Sequence, residues 1–144
     1  MQFLSEDTVL LDAKATTAEE AIRLAGNLLV STGKVRPSYI EAMIKGYRDI
    51  GPYIVLAPGI AAPHARPEDG ALTKGLSLIR LQEPVKFGHP TNDPVRIVCA
   101  LAGTDNTGHL EMLQYLASVL GDPDRVKGIL TVKNFQEFSR LLEQ

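Results

Sequence analysis

Thr8-Val9-Leu10-Leu11-Asp12 is a short β-branched and apolar run, the pattern of a strand. In Thr17-Ala18-Glu19-Glu20 a hydroxyl precedes a glutamate by three residues, the spacing of a capping box at a helix start. Ala21, Ile22, Ala25, Leu28 and Leu29 then recur at helical intervals up to Gly33, so a strand feeds an amphipathic helix. A second helix is predicted from Arg36-Pro37-Ser38, where proline suits the first turn, through the stripe Ile40, Met43, Ile44 and Tyr47, to Gly51.

The texture then changes. Tyr53-Ile54-Val55-Leu56 is a continuous apolar run that reads as a buried strand, and Pro58-Gly59 separates it from a short extended piece, Ile60-Ala61-Ala62-Pro63-His64. Leu76 to Leu81 alternates in part, and Val95 to Leu101 is nearly uninterrupted, as in a strand covered on both faces. Glu83 to Pro94, with its prolines, Gly88, Asn92 and Asp93, reads as a loop or bulged edge that carries His89. Three helices close the chain: one from about Thr107 to Gly121, one from Asp122-Pro123, and one opened by Asn134-Phe135-Gln136-Glu137. Helices on both sides of a central run of strands predict a three-layer α/β/α domain spanning residues 1–144.

Composition narrows the class. Fifteen Lys and Arg against 17 Asp and Glu give a formal charge of −2 with no like-charge run, which argues against a nucleic-acid or membrane-surface partner. The longest nearly uncharged stretch, Tyr53 to His64, is far shorter than the ~20 apolar residues of a membrane span. With one cysteine and no secretory pattern at the start, a cytoplasmic protein is expected. Cys99, in the middle of an apolar strand, reads as a small core residue, and no set of ligands suggests zinc or another metal. Walker-type, dinucleotide-binding and Gly-x-Ser-x-Gly patterns are missing, so no cofactor is implied.

The candidate chemistry rests on few residues. His64 follows a rigid Pro63 at the end of the extended segment, and His109 lies in the first turn of a helix, where amides and the helix dipole favour an anion. Arg48 lies near a helix end. Each also has an ordinary reading: a loop histidine bonded to local backbone, a surface histidine, a cation compensating the dipole. Together, two histidines and an arginine without a thiol partner suggest phosphoryl handling, with a neutral imidazole nitrogen as nucleophile. Arg66, two residues after His64, is a further candidate for phosphate or partner contact.

At these residues the chain resembles the mannitol/fructose-type enzyme IIA domains of the bacterial phosphoenolpyruvate-dependent sugar phosphotransferase system, over essentially its whole length. The resemblance is carried by Ile60-Ala61-Ala62-Pro63-His64, by His109-Leu110-Glu111-Met112-Leu113, and by Arg48 ahead of the first segment. It implies a mixed sheet between helical layers, His64 as the phosphorylated residue, and His109 and Arg48 as groups that stabilise the phosphoryl moiety. Gly51 to Gly59, Pro63 to Glu68 and Asn92-Asp93-Pro94-Val95 look most like the ascorbate-specific branch. The mannitol branch typically has glycine directly after the histidine, where Ala65 stands here. The implied function is a carrier that takes phosphate from phosphorylated HPr and passes it to a cysteine of an enzyme IIB, while a membrane enzyme IIC moves the sugar. L-Ascorbate is the expected sugar; mannitol, fructose or a nitrogen-type regulatory role are the alternatives.

Overall fold

The structure, a computed structural model, describes residues 3–143. The N-terminal strand forms as β1 (Val9–Ala13) and leads into α1 (Ala18–Ser31). Thr17 caps α1: its hydroxyl accepts the Glu20 amide at 3.2 Å, while the Glu20 carboxylate takes the Thr16 amide and hydroxyl. Helix α2 (Pro37–Ile50) starts at the proline and ends at Gly51, whose φ of 100° is open to glycine and strained for other residues. The remaining elements are β2 (Val55–Ala57), β3 (Ile60–Ala61), β4 (Gly75–Leu76), β5 (Leu78–Val85), β6 (Val95–Val98), β7 (Leu101–Ala102), α3 (Asn106–Leu120), α4 (Pro123–Thr131) and α5 (Phe135–Leu142).

The main sheet has the order β1-β5-β6-β3-β2 and is mixed, with β1/β5 and β3/β6 parallel and β5/β6 and β2/β3 antiparallel. Strands β4 and β7 form a separate antiparallel pair. Successive side chains of a strand face opposite layers. Ala61, Ile79 and Leu81 accordingly pack with α1 and α2, whereas Ile60, Ala62 and Leu78 pack with Leu116, Val119, Ile129 and Phe138 of the three C-terminal helices. This is the three-layer arrangement expected from the sequence. Burying a side chain the size of Phe138 contributes about 1.5–3 kcal/mol, so the layers are held chiefly by such contacts. The half-buried Arg80 of β5 donates to the carbonyls of Ile129 (2.9 Å) and Val132 (2.6 Å), which lie at the end of α4 and have no helical partner.

Three stretches differ from the expectation. Tyr53 falls in a 3-10 turn, Pro52–Ile54, and only Val55–Ala57 is strand, so both Tyr53 and Leu56 are exposed. The apolar run from Val95 is divided after Val98: Leu101 and Ala102 pair with Leu76 and Gly75 as a separate short strand, while the Leu101 amide still bonds back to Pro63. Strand β5 continues through Pro84 to Val85, and the loop begins only after it. Among the described residues no helix is long and apolar enough to cross a membrane.

Candidate active site

His64 and His109 are brought together by neighbouring parallel strands. Ile60 and Ala61 of β3 pair with Ile97 and Val98 of β6, and the ladder runs on through Cys99 N–H to the Ala61 carbonyl (2.8 Å) and Leu101 N–H to the Pro63 carbonyl (3.1 Å). Both strands therefore end at one edge of the sheet, outside whose carboxyl ends an α/β fold binds its ligands. His64 projects there directly. The other strand leads through Gly103 into α3, whose first turns carry His109.

Gly103 sets that approach. A Cβ at this position would lie 3.2 Å from the His109 amide nitrogen and 3.3 Å from its Cα, so a side chain would push the helix start away from the strand. Asp105 caps α3 by accepting the Gly108 amide at 2.7 Å. The two imidazoles end up with ring centroids 5.4 Å apart, and the Tyr53 ring packs edge-on against His64 at 6.1 Å.

The hydrogen bond at His64 decides its chemistry. Its Nδ1 lies 3.0 Å from the Ala62 carbonyl oxygen, which can only accept. The tautomer assigned from this partner has the proton on Nδ1, leaving Nε2 with a free lone pair in the neutral ring. His109 is held below the ordinary histidine range, first by burial and then by the neighbouring His64, so it is neutral at pH 7. A neutral imidazole still has one N–H to donate.

The cleft beside His64, about 420 Å³, is bounded by one face of α2, including Lys45, Gly46 and Asp49, and by Tyr53, Arg66 and Asp69. Arg66 is thus at the site, its exposed guanidinium 3.5 Å from both Glu68 and Asp69. Lys45, not singled out by the sequence, is a second cation there and contacts Asp49 at 2.5 Å. Arg48 is not brought to His64. At about 100° per residue, the turn of α2 that directs Lys45 and Asp49 into the cleft directs Arg48 toward α1, where it pairs with Glu19. The helical spacing of Lys45 and Asp49 was the signal that distinguishes these faces.

The other reactive candidates have structural tasks. Cys99 is fully buried, which pushes its thiol up to about 12 and keeps it from acting as a thiolate. His89 Nδ1 accepts the amides of Thr91 and Asn92 at 3.2 and 3.0 Å and so shapes its own loop. Glu111 is 3.3 Å from Lys74. Among the described residues no group of three or more His, Cys, Asp or Glu side chains is placed to hold a metal ion.

Exposed apolar side chains adjoin the site. Of the five large hydrophobic side chains exposed among the described residues, Ile50 and Tyr53 line the cleft, and Leu56 borders an apolar groove of about 230 Å³ that includes Ala62 and Leu113. A cluster of this kind around polar reactive groups is the usual character of a protein-docking surface.

The family described as phosphoenolpyruvate-dependent sugar phosphotransferase system, EIIA 2, matches residues 2–144. The chain belongs to this EIIA family. Among known proteins this EIIA is 35% identical over 138 residues to the ascorbate-specific PTS system EIIA component of Escherichia coli strain K12, covering 95% of this chain and 90% of that one. It superimposes on the solution structure of the mannitol-specific cryptic phosphotransferase enzyme IIA of Escherichia coli with a TM-score of 0.87 at 29% identity, covering 98% and 95% of the two chains. The mannitol enzyme IIA in complex with phosphorylated enzyme IIB, also from Escherichia coli, matches with a TM-score of 0.84 at 32% identity, covering 97% and 96%. The EIIA fold and family expected from the histidine motifs are therefore those of this chain.

Proposed function

We propose that this EIIA is a cytoplasmic phosphoryl carrier that takes phosphate from phosphorylated HPr onto Nε2 of His64 and delivers it to a cysteine of an enzyme IIB, in a system that imports L-ascorbate through a membrane enzyme IIC. The observation that carries this reading is the Nδ1–Ala62 bond, which leaves Nε2 as the free ring nitrogen of a histidine that lines the cleft and whose ring is centred 5.4 Å from that of His109. The lone pair of Nε2 attacks phosphorus, the new N–P bond forms, and the N–P bond of the donor's phosphohistidine breaks with its electron pair returning to the donor ring. Nε2 carries no proton, so none has to be removed. In the second step a partner thiolate attacks the same phosphorus, an S–P bond forms, and the pair of the breaking N–P bond returns to Nε2. His109 donates its N–H to the equatorial oxygens, and Arg66 and Lys45 supply positive charge at the rim.

The exposed apolar side chains of Ile50, Tyr53 and Leu56 suit alternating contact with protein donors and acceptors, and the IIA–IIB complex among the structural relatives supports enzyme IIB as the acceptor. The name of the ascorbate-specific relative supports ascorbate as the sugar. The test is transfer of radiolabel from phosphoenolpyruvate, through enzyme I and HPr, to this protein and then to a panel of IIB domains. Label is expected to pass to an ascorbate-type IIB at least about tenfold faster than to a mannitol-type IIB; equal or reversed rates overturn the assignment of ascorbate.

The pH behaviour of His109 provides a second check. In the free protein its folded-state value lies below 6.5, so the unfolded chain takes up this proton first as the pH falls, and the associated stability is lost downward from about pH 6.5. A phosphoryl group on His64 puts negative charge beside the ring and moves the titration upward. Imidazole resonances followed by NMR against pH are expected to show His109 below 6.5 in the free protein and higher in the phosphorylated protein. An unshifted titration removes His109 from the phosphoryl pocket.

A further inference from the structure

Tyr39, in the first turn of α2, is buried, yet its hydroxyl makes three contacts with the strand ends that carry the site: it accepts the Ala65 amide (3.0 Å), donates to the Leu101 carbonyl (2.8 Å), and lies 3.1 Å from the Ala65 carbonyl. The register of the parallel pair shows what this means. Ile60 faces Ile97 and Ala61 faces Val98, so in the same register His64 faces Leu101. A residue facing Leu101 in a parallel ladder receives two bonds, Leu101 N–H to the preceding carbonyl and the following N–H to the Leu101 carbonyl. The first is present, from Leu101 to Pro63 at 3.1 Å. The second would join Ala65 N–H to the Leu101 carbonyl, and the Tyr39 hydroxyl occupies that place, accepting from one group and donating to the other. Pro63, with no N–H, removes the rung before it. The two strands are thereby held together up to Pro63 and held apart by the width of one hydroxyl immediately after His64.

We infer that Tyr39 is a positioning residue for the phosphoryl site: its hydroxyl, inserted into the last rung of the β3–β6 ladder, fixes the separation of the two chain segments and so the approach of His64 to His109. This rests on the reading of His64 as phosphoryl carrier and adds to it a residue that touches neither phosphate nor partner. Burial pushes the Tyr39 hydroxyl up to about 12, so it stays protonated and serves both as donor and as acceptor. Phenylalanine keeps the ring in the core and deletes only the rung.

The test compares Tyr39→Phe with Tyr47→Phe. Tyr47 is on the same helix and also loses a hydroxyl bonded to a backbone carbonyl, that of Phe87 at 2.6 Å, but it lies outside the His64 cleft. Phosphorylated HPr is the donor, kcat and KM are separated, and the ring nitrogens of His64 are followed by 15N NMR. Tyr39→Phe is expected to lower kcat about tenfold, to leave KM for the donor within twofold, and to shift the His64 ring resonances; Tyr47→Phe is expected to leave all three near wild type. Equal kcat in the two variants, or a kcat loss matched by Tyr47→Phe, overturns the role. If wild type itself takes up no phosphate, the carrier reading falls, and the resonances decide alone: a shift confined to Tyr39→Phe supports the positioning role, and unchanged resonances overturn it.

Discussion

His64→Ala is expected to incorporate no histidine-bound phosphate from phosphoenolpyruvate, enzyme I and HPr, a loss of at least about 10³-fold, while remaining folded. The fold is little affected because His64 is half-exposed and makes one side-chain hydrogen bond, to Ala62, whose removal costs about 1 kcal/mol. The chemistry is lost because nothing replaces Nε2. Cys99 is buried and protonated, His89 uses Nδ1 to hold its loop, and His109 is read as a donor to the phosphoryl oxygens rather than as the carrier. Removing a covalent nucleophile removes the intermediate itself, so a residual rate has no route through this protein. The measurement is base-stable, acid-labile label on the purified variant, with circular dichroism to show that it is folded. Label retained at the wild-type level would sink the assignment of His64.

His109→Ala produces the second large effect, of another kind. Phosphorylation of His64 is still expected, since the nucleophile is intact, but transfer in and out slows by about 10²-fold. That is the loss seen when a single preorganised donor to a developing oxyanion is deleted. The His109 ring sits 5.4 Å from that of His64 and is held neutral, so what it offers is one directed N–H and not a full charge. His109→Gln restores an N–H of similar reach and is expected to recover part of the rate. Single-turnover transfer to a IIB domain measures both variants, and rates equal to wild type in His109→Ala would exclude the donor role.

The two histidines were legible in the sequence because each sits next to residues that announce its backbone: a proline before His64, and a glycine and an Asp N-cap before His109. Helices α1, α2 and α3 were legible because their apolar stripes are long and stop at or beside glycines, and α4 and α5 because an Asp and an Asn open them. Tyr39 was not, since a tyrosine beside Ile40 on an apolar helix face reads as core, and its hydroxyl has meaning only once strands distant in sequence are in register. The resemblance implies Arg48 beside the phosphoryl group, whereas in the structure its side chain pairs with Glu19 of α1, a direction that sequence position alone does not give. Tyr53 and Leu56 were read as buried strand because they are apolar, whereas the fold leaves them at the surface around the site. In a small carrier, solvent-facing apolar residues mark the place where other proteins sit.

The order of strands in the sheet has a consequence for biosynthesis. Val9 pairs with Leu78, and Ala61 with Val98, so β1 waits for β5, and β3 for β6, to leave the ribosome. Pairings between segments so distant in sequence are the slow, late steps of folding. A nascent chain that already contains His64 therefore has no Leu101 carbonyl for Tyr39 and no His109 to face it. His64 is translated near the middle of the chain, but its surroundings are completed only when the C-terminal third emerges, so a truncated product carries the histidine without its neighbours.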